Sequence, residues 1–227
     1  KADIVSQDSI VQEMKAGKYD FASMPAEQYD TYKDLSNITL LGDITNNISY
    51  IGFNMGHFDK DKGEHVFEPG KKMSDPALRK AIAYALDNDQ VANETYQGLR
   101  IAANTLLTPF FGQIYADKSE VPGFTYNPEE SKKILADAGY KDTDGDGYVE
   151  DKEGKQLTIT LLAPVGSQTD EAVYQQYIEW WKNVGLRVEL LNGRALDFNA
   201  YAEKLTKYAD DYDMWLGGFT IGYNPDP

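Results

Sequence analysis

The chain contains no cysteine. That excludes disulfides, thiolate nucleophiles, iron–sulfur clusters and Cys-built zinc sites, and it fits a cytosolic protein and a Cys-poor secreted one equally. Histidine is nearly absent too. His57 and His65 lack the i, i+4 helical spacing of a zinc protease. Positive charge is scarce: 22 Lys and Arg stand against 37 Asp and Glu, for a net charge of −15. No basic stripe exists to bind a phosphate backbone or an anionic membrane, so nucleic acid is excluded as a partner. No apolar run approaches the roughly 20 residues of a membrane span. There is no G-x-S-x-G elbow and no dinucleotide fingerprint, and Gly70-Lys71-Lys72 lacks the rest of a phosphate loop. Carboxylates abound, yet nothing singles out a catalytic pair. No catalytic residue is assigned and no cofactor is required.

What is present is a 227-residue chain with 41% hydrophobic residues, enough for one large domain or two small ones. Sixteen tyrosines offer apolar faces with hydroxyls. Ser6 to Ala16 reads as a helix with Ile10, Val11 and Met14 on one face. Tyr19 to Met24 alternates as a strand, Pro25 to Leu35 reads as a helix, and Ile38 to Leu41 and Ile48 to Phe53 read as β-rich runs. Residues 56–73 read as a loop. Asp75 and Pro76 open a helix with the apolar stripe Leu78, Ala81, Ile82, Ala85 and Leu86. Gln90 to Tyr96 reads as a further helix, and residues 99–124 as irregular. Asn127 and Pro128 start another helix, with Glu130 at the capping-box position and Gly139 as its end. From Leu157 the order is strand, helix 169–183, strand 186–191, helix 198–208 and strand 212–219. That succession predicts an α/β layer with parallel neighbours.

The sharpest chemical signal is the acidic loop from Asp142 to Glu153, which holds six carboxylates. A twelve-residue calcium loop places ligands at positions 1, 3, 5, 7, 9 and 12, with Gly at 6. Those positions here are Asp142, Asp144, Asp146, the Tyr148 carbonyl, Glu150 and Glu153, with Gly147 at the turn. A strand, rather than a helix, follows the loop. The alternatives are a structural calcium and a solvated Asp/Gly turn.

Several segments together resemble one family. Gly17-Lys18-Tyr19-Asp20-Phe21, Tyr50-Ile51-Gly52-Phe53-Asn54 and Arg79-Lys80-Ala81-Ile82-Ala83-Tyr84-Ala85-Leu86-Asp87 carry the likeness. So do Asn127 to Leu135 with Ala138-Gly139-Tyr140, then Phe198 to Tyr201, Tyr212 to Met214 and Phe219 to Pro227. In this order they resemble the oligopeptide-binding (peptide and nickel) class of extracellular solute-binding proteins of ABC importers. The resemblance implies a type II periplasmic-binding-protein-like α/β lobe, with a mixed sheet and flanking helices, in a partial chain. Residues 1–45 would end lobe I, and residues 46–227 would form most of lobe II, entered by a crossover strand near 46–54. It implies an oligopeptide ligand, an ABC permease as partner, and a cell-surface lipoprotein of a Gram-positive bacterium, its lipid anchor outside this segment. In the family, the stretch matching Gly218, Phe219, Thr220, Ile221, Gly222 and Tyr223 lines the ligand cleft. Phe219 stands where a Trp is usual. Gly222 stands where some members place an Asp for the peptide ammonium, so that clamp is missing here. A peptide-sensing or adhesion receptor, or an oligosaccharide receptor, of the same fold are the alternative expectations.

Overall fold

The computed structural model describes residues 3–117, 119–121 and 123–223. It begins with α1 (Gln7–Lys15), whose Ile10, Val11 and Met14 are buried together with Tyr32. The chain then runs without a strand to a 3-10 turn (Ala26–Gln28) and the single-turn α2 (Tyr29–Tyr32). The expected strands at 19–24 and 38–41 do not form, because their β-prone residues find no partner strand and a strand has no internal hydrogen bonds. The expected 25–35 helix is reduced to these two short pieces.

β1 (Asn47–Phe53) follows, then a hairpin of β2 (Gly56–Asp59) and β3 (Glu64–Phe67). The hairpin corrects the loop expected for 56–73. Its turn is set by Gly63 at φ +70° and by Asp59, which accepts from Asp61 N at 3.0 Å and Lys62 N at 3.1 Å. Mostly polar strands gave no alternating apolar signal. α3 (Pro76–Tyr84) starts as its residues require: Asp75 accepts from Ala77 N at 2.9 Å, and Pro76 needs no donor. α4 (Asn88–Gln90) runs into a π-turn, Val91–Thr95. α5 (Pro128–Asp137) is capped by Asn127, which accepts from Glu130 N at 3.0 Å.

The α/β succession then appears as expected: β4 (Thr158–Leu162), α6 (Gln168–Asn183), β5 (Arg187–Leu190), α7 (Phe198–Thr206) and β6 (Met214–Thr220). A reciprocal Ser167/Asp170 capping box opens α6. The sheet order is β1-β6-β4-β5, with β4 parallel to β5 and β6 and β1 antiparallel to β6. The sheet is therefore mixed, and β1 is one of its edges.

One face carries the main core. Leu78 and Ile82 of α3, Leu135 of α5, Trp181 of α6 and Ile159 and Leu161 of β4 are almost wholly buried there. Trp181 Nε1 donates to the Ile82 carbonyl at 3.1 Å, and the buried Ser131 hydroxyl donates to the Ala81 carbonyl at 2.7 Å. The indole and the hydroxyl are thus satisfied where water is excluded. The other face packs Leu162, Leu191 and Leu196 with Tyr201 of α7. Asn54 ties the end of β1 to the start of β6, donating from N to the Asp213 carbonyl at 2.8 Å and from Nδ2 to the Tyr212 carbonyl at 3.0 Å.

Candidate ligand-binding face and acidic loop

β6 is paired unequally. β4 reaches it only at Leu161↔Met214 and Leu162↔Trp215, whereas β1 follows it from Met214 to Thr220. From Leu216 to Thr220 one edge of β6 is covered by β1 and the other carries no strand among the described residues. Two contacts fix which residues face which way. The Tyr201 hydroxyl, from α7, donates to the Leu216 carbonyl at 2.5 Å, and Ile221 N donates to the Asn46 carbonyl, on the β1 side, at 2.9 Å. Successive residues of a strand point their backbone groups to alternate edges. Gly218 and Thr220 therefore present N–H and C=O on the uncovered edge.

Beside this edge lies an open concavity of about 2840 Å³. That exceeds the ~300–1,000 Å³ of an ordinary small-molecule pocket and suits an extended ligand. Of the six residues expected to bind ligand, Gly218 lines it; Phe219, Thr220, Ile221, Gly222 and Tyr223 do not. Phe219 lies 5.5 Å, centroid to centroid, from Tyr50, and Tyr223 lies 5.8 Å from Phe110. The Thr220 hydroxyl donates to Asn47 Oδ1 at 2.6 Å, and the Ile221 carbonyl accepts from Asn46 Nδ2 at 2.5 Å. The end of the expected cleft segment, Asn224 to Pro227, lies outside the described residues.

Several tyrosines stand in the concave wall. Tyr50, Tyr96, Tyr174, Tyr177 and Tyr201 line it. Burial pushes the Tyr174, Tyr177 and Tyr201 hydroxyls up to about 12, and the neighbouring Asp170 and Glu171 add to it at Tyr174. These groups are neutral hydrogen-bonding partners at any ordinary pH. Burial also raises Tyr96, helped by its hydrogen bond to Asp170 Oδ1 at 2.7 Å. Sequence reasoning did not pick out these residues or Arg100. The count of tyrosines was the available signal, but no local motif separates a wall tyrosine from a core one.

The acidic loop is held mainly by its own backbone. Asp142 accepts from Gly145 N at 2.7 Å and Gly147 N at 3.0 Å, Asp144 from Asp146 N at 3.1 Å, and Asp146 from Tyr148 N at 2.9 Å. Carboxylate oxygens of Asp142, Asp144 and Asp146 lie within 4.8 Å of one another. Glu150 and Glu153, the other expected carboxylates, are engaged elsewhere. Glu150 is buried and accepts from both the backbone N and the hydroxyl of Thr143 at 2.6 Å. Glu153 pairs with Lys155 at 2.6 Å in a separate turn built on Asp151. Tyr148 lies with its ring 4.3 Å from the Arg187 guanidinium, which also pairs with Asp146. The expected six-position set is therefore split, for the physical reason that no exiting helix brings position 12 back over the loop.

Comparison with known proteins decides the family. Residues 2–227 match the bacterial extracellular solute-binding proteins, family 5 Middle. The chain belongs to this family. It is 33% identical to the oligopeptide-binding protein OppA of Lactococcus lactis subsp. cremoris, over 98% of this chain and 37% of that protein. It is 27% identical to the oligopeptide-binding protein AppA of Bacillus subtilis, over 98% of this chain and 38% of that one. Its fold superposes with a TM-score of 0.87 on lactococcal OppA complexed with an endogenous peptide in the closed conformation, at 32% identity, covering 95% of this chain and 40% of that structure. AppA in complex with a nonapeptide gives 0.76, at 26% identity, covering 97% and 40%. The chain thus spans about two fifths of the length of these family 5 relatives.

Proposed function

We propose that this family 5 chain is the larger part of one lobe of a two-lobed receptor, which captures an oligopeptide and delivers it to an ABC permease without chemical change. The observation that carries this is the uncovered edge of β6 at Gly218 and Thr220 beside a concavity too large for a small metabolite. An extended peptide would add to that edge through backbone hydrogen bonds, which are blind to side-chain identity. Water in the wide cavity would accommodate varied side chains. The peptides bound in the OppA and AppA structures support this ligand class.

In this reading residues 1–45 end lobe I and residues 46–227 belong to lobe II. The small separate core of Ile10, Val11, Met14 and Tyr32 supports that division. The receptor would work at the surface of a Gram-positive cell, held by a lipid anchor outside this segment. A thermal-shift screen of the complete receptor tests the reading. Peptides should raise the melting temperature and oligosaccharides should not. Stabilisation by oligosaccharides alone would replace peptide with glycan. Calorimetry on the 227-residue chain should show weak or no peptide binding, since it holds only part of the cleft. Full affinity there would contradict capture between two lobes.

A structural calcium on Asp142, Asp144 and Asp146 is a second, independent reading, supported by their converging oxygens. Hard carboxylate oxygens on a flexible loop suit Ca²⁺. Titration of the chelator-treated chain should show calcium binding that Asp144→Ala removes. No heat at millimolar calcium would reject it and leave a self-bonded turn.

A further inference from the structure

The charges lining the concavity are lopsided. Asp20, Asp43, Asp87, Asp89 and Asp170 are its anions, and Arg100 is its one cation among the described residues. Arg100 is also unusual in how it is held. Its guanidinium lies 3.4 Å from the centroid of the Tyr96 ring, so stacking fixes its plane. Tyr96 is itself buried and anchored through its hydroxyl to Asp170.

Arg100 forms an ion pair with Asp170, but a loose one that leaves its donors unused. Arg100 stands 4.0 Å from Asp170 Oδ1, beyond hydrogen-bond range. Both Asp170 oxygens are already served: Oδ1 by Tyr96, and Oδ2 by Ser167 N at 3.1 Å and the Ser167 hydroxyl at 3.0 Å. Among the described residues Arg100 makes no hydrogen bond, and its side chain is half exposed at the cavity.

The backbone that delivers it is specialised. The π-turn Val91–Thr95 ends in Gln97 at φ +54° and Gly98 at φ +75°, and this double left-handed step precedes Arg100. Gln97 is held in that strained conformation by its side chain, which accepts from Asp30 N at 2.9 Å and donates to the Glu27 carbonyl at 2.9 Å.

We propose that Arg100 recognises a carboxylate of the peptide ligand. A planar guanidinium with its donors unused is the side chain that pairs with carboxylate in two parallel hydrogen bonds. Among the described residues of this wall the other charges are aspartates, so a ligand carboxylate that meets this wall is drawn to Arg100. The inference rests on the peptide-receptor reading above. The carboxylate is either the peptide's C-terminus or an Asp or Glu side chain.

The test uses the complete receptor and three nonapeptides: one C-amidated and free of acidic residues, its free-acid form, and an amidated form with one internal Glu. The wild type should bind at least one carboxylate-bearing peptide tenfold or more tighter than the neutral one. Tightening by the free acid alone assigns the C-terminus, and tightening by internal Glu assigns the side chain. Arg100→Gln should erase the difference while leaving affinity for the neutral peptide and the melting temperature in place. Arg100→Lys should restore only part, because it keeps the charge and loses the planar fork. Equal wild-type affinity for all three, or an equal loss on all three in Arg100→Gln, would overturn the proposal while leaving peptide capture intact. Failure of every peptide to bind would overturn the receptor reading and this inference with it.

Discussion

Residues 47–220 and residues 5–38 use the same kinds of apolar side chain to different effect. In the larger region, strands distant in sequence lie side by side, and α3, α5 and α6 cover one face of the sheet. Trp181, Leu161 and Met214 are wholly buried as a result. In the smaller region α1 packs on α2 and its flanking chain, no strand forms, and Phe21 remains 85% exposed. Among the described residues its side-chain hydrogen bonds to the larger region run through Gln97, to Asp30 N and the Glu27 carbonyl. The larger region buries its apolar side chains between helices and a sheet, whereas the smaller one gathers four of them, Ile10, Val11, Met14 and Tyr32, in a core of its own.

The largest expected effect is Trp181→Ala. It leaves a cavity beneath α3 and removes the donor to the Ile82 carbonyl, and should cost about 4 kcal/mol of global stability in urea unfolding. Ile10→Ala removes a comparable aliphatic group from the small core and should cost about 2 kcal/mol, but locally. Amide exchange in α1 should quicken while the global midpoint hardly moves. A midpoint shift as large as its local cost would show that the two regions unfold as one unit, and would break the comparison.

Next is β1. A Cβ on Gly52 would come within 2.2 Å of the Trp215 ring, its cross-strand partner. Gly52→Ala should cost about 1–3 kcal/mol in the same unfolding experiment. A neutral result would mean that β1 is only loosely attached to the larger region.

The smallest effect concerns Asp75. Burial raises its carboxyl, but the Lys152 ammonium at 2.6 Å, the Tyr140 hydroxyl at 2.8 Å and Ala77 N outweigh that and hold it below its usual range. The folded carboxyl is thus more acidic than the unfolded one. Its contribution is complete above the unfolded value near 4 and fades as pH falls through the folded one. Asp75→Ala should cost about 1 kcal/mol at neutral pH and less in strong acid, measured by urea midpoints across pH.

Local signals were read correctly where they are self-contained. Asp75-Pro76, Asn127-Pro128 and the stripe from Leu78 to Leu86 announce α3 and α5 because a helix satisfies its own backbone. The strand–helix alternation after Leu157 announces the parallel layer because period-2 and helical segments succeed one another there with clear caps between them. The β2–β3 hairpin stayed hidden because its strands are mostly polar and pair only with each other. The runs at 19–24 and 38–41 misled because β-propensity means nothing without a neighbouring strand. The acidic loop was legible as residues but not as geometry: Glu150 turns back to Thr143, and Glu153 follows Asp151.

By itself the sequence determined the fold class and the family likeness, and its lack of cysteine removes thiol and disulfide chemistry without reference to shape. Tertiary structure alone decided that β4 stops two residues into β6, leaving Gly218 and Thr220 with an uncovered edge. It also decided that Arg100 lies stacked on Tyr96 inside the concavity. The first depends on β4 and β6 meeting across some fifty residues of chain, and the second on Asp170 of α6 anchoring the Tyr96 hydroxyl from 74 residues away; such contacts leave no local pattern to read.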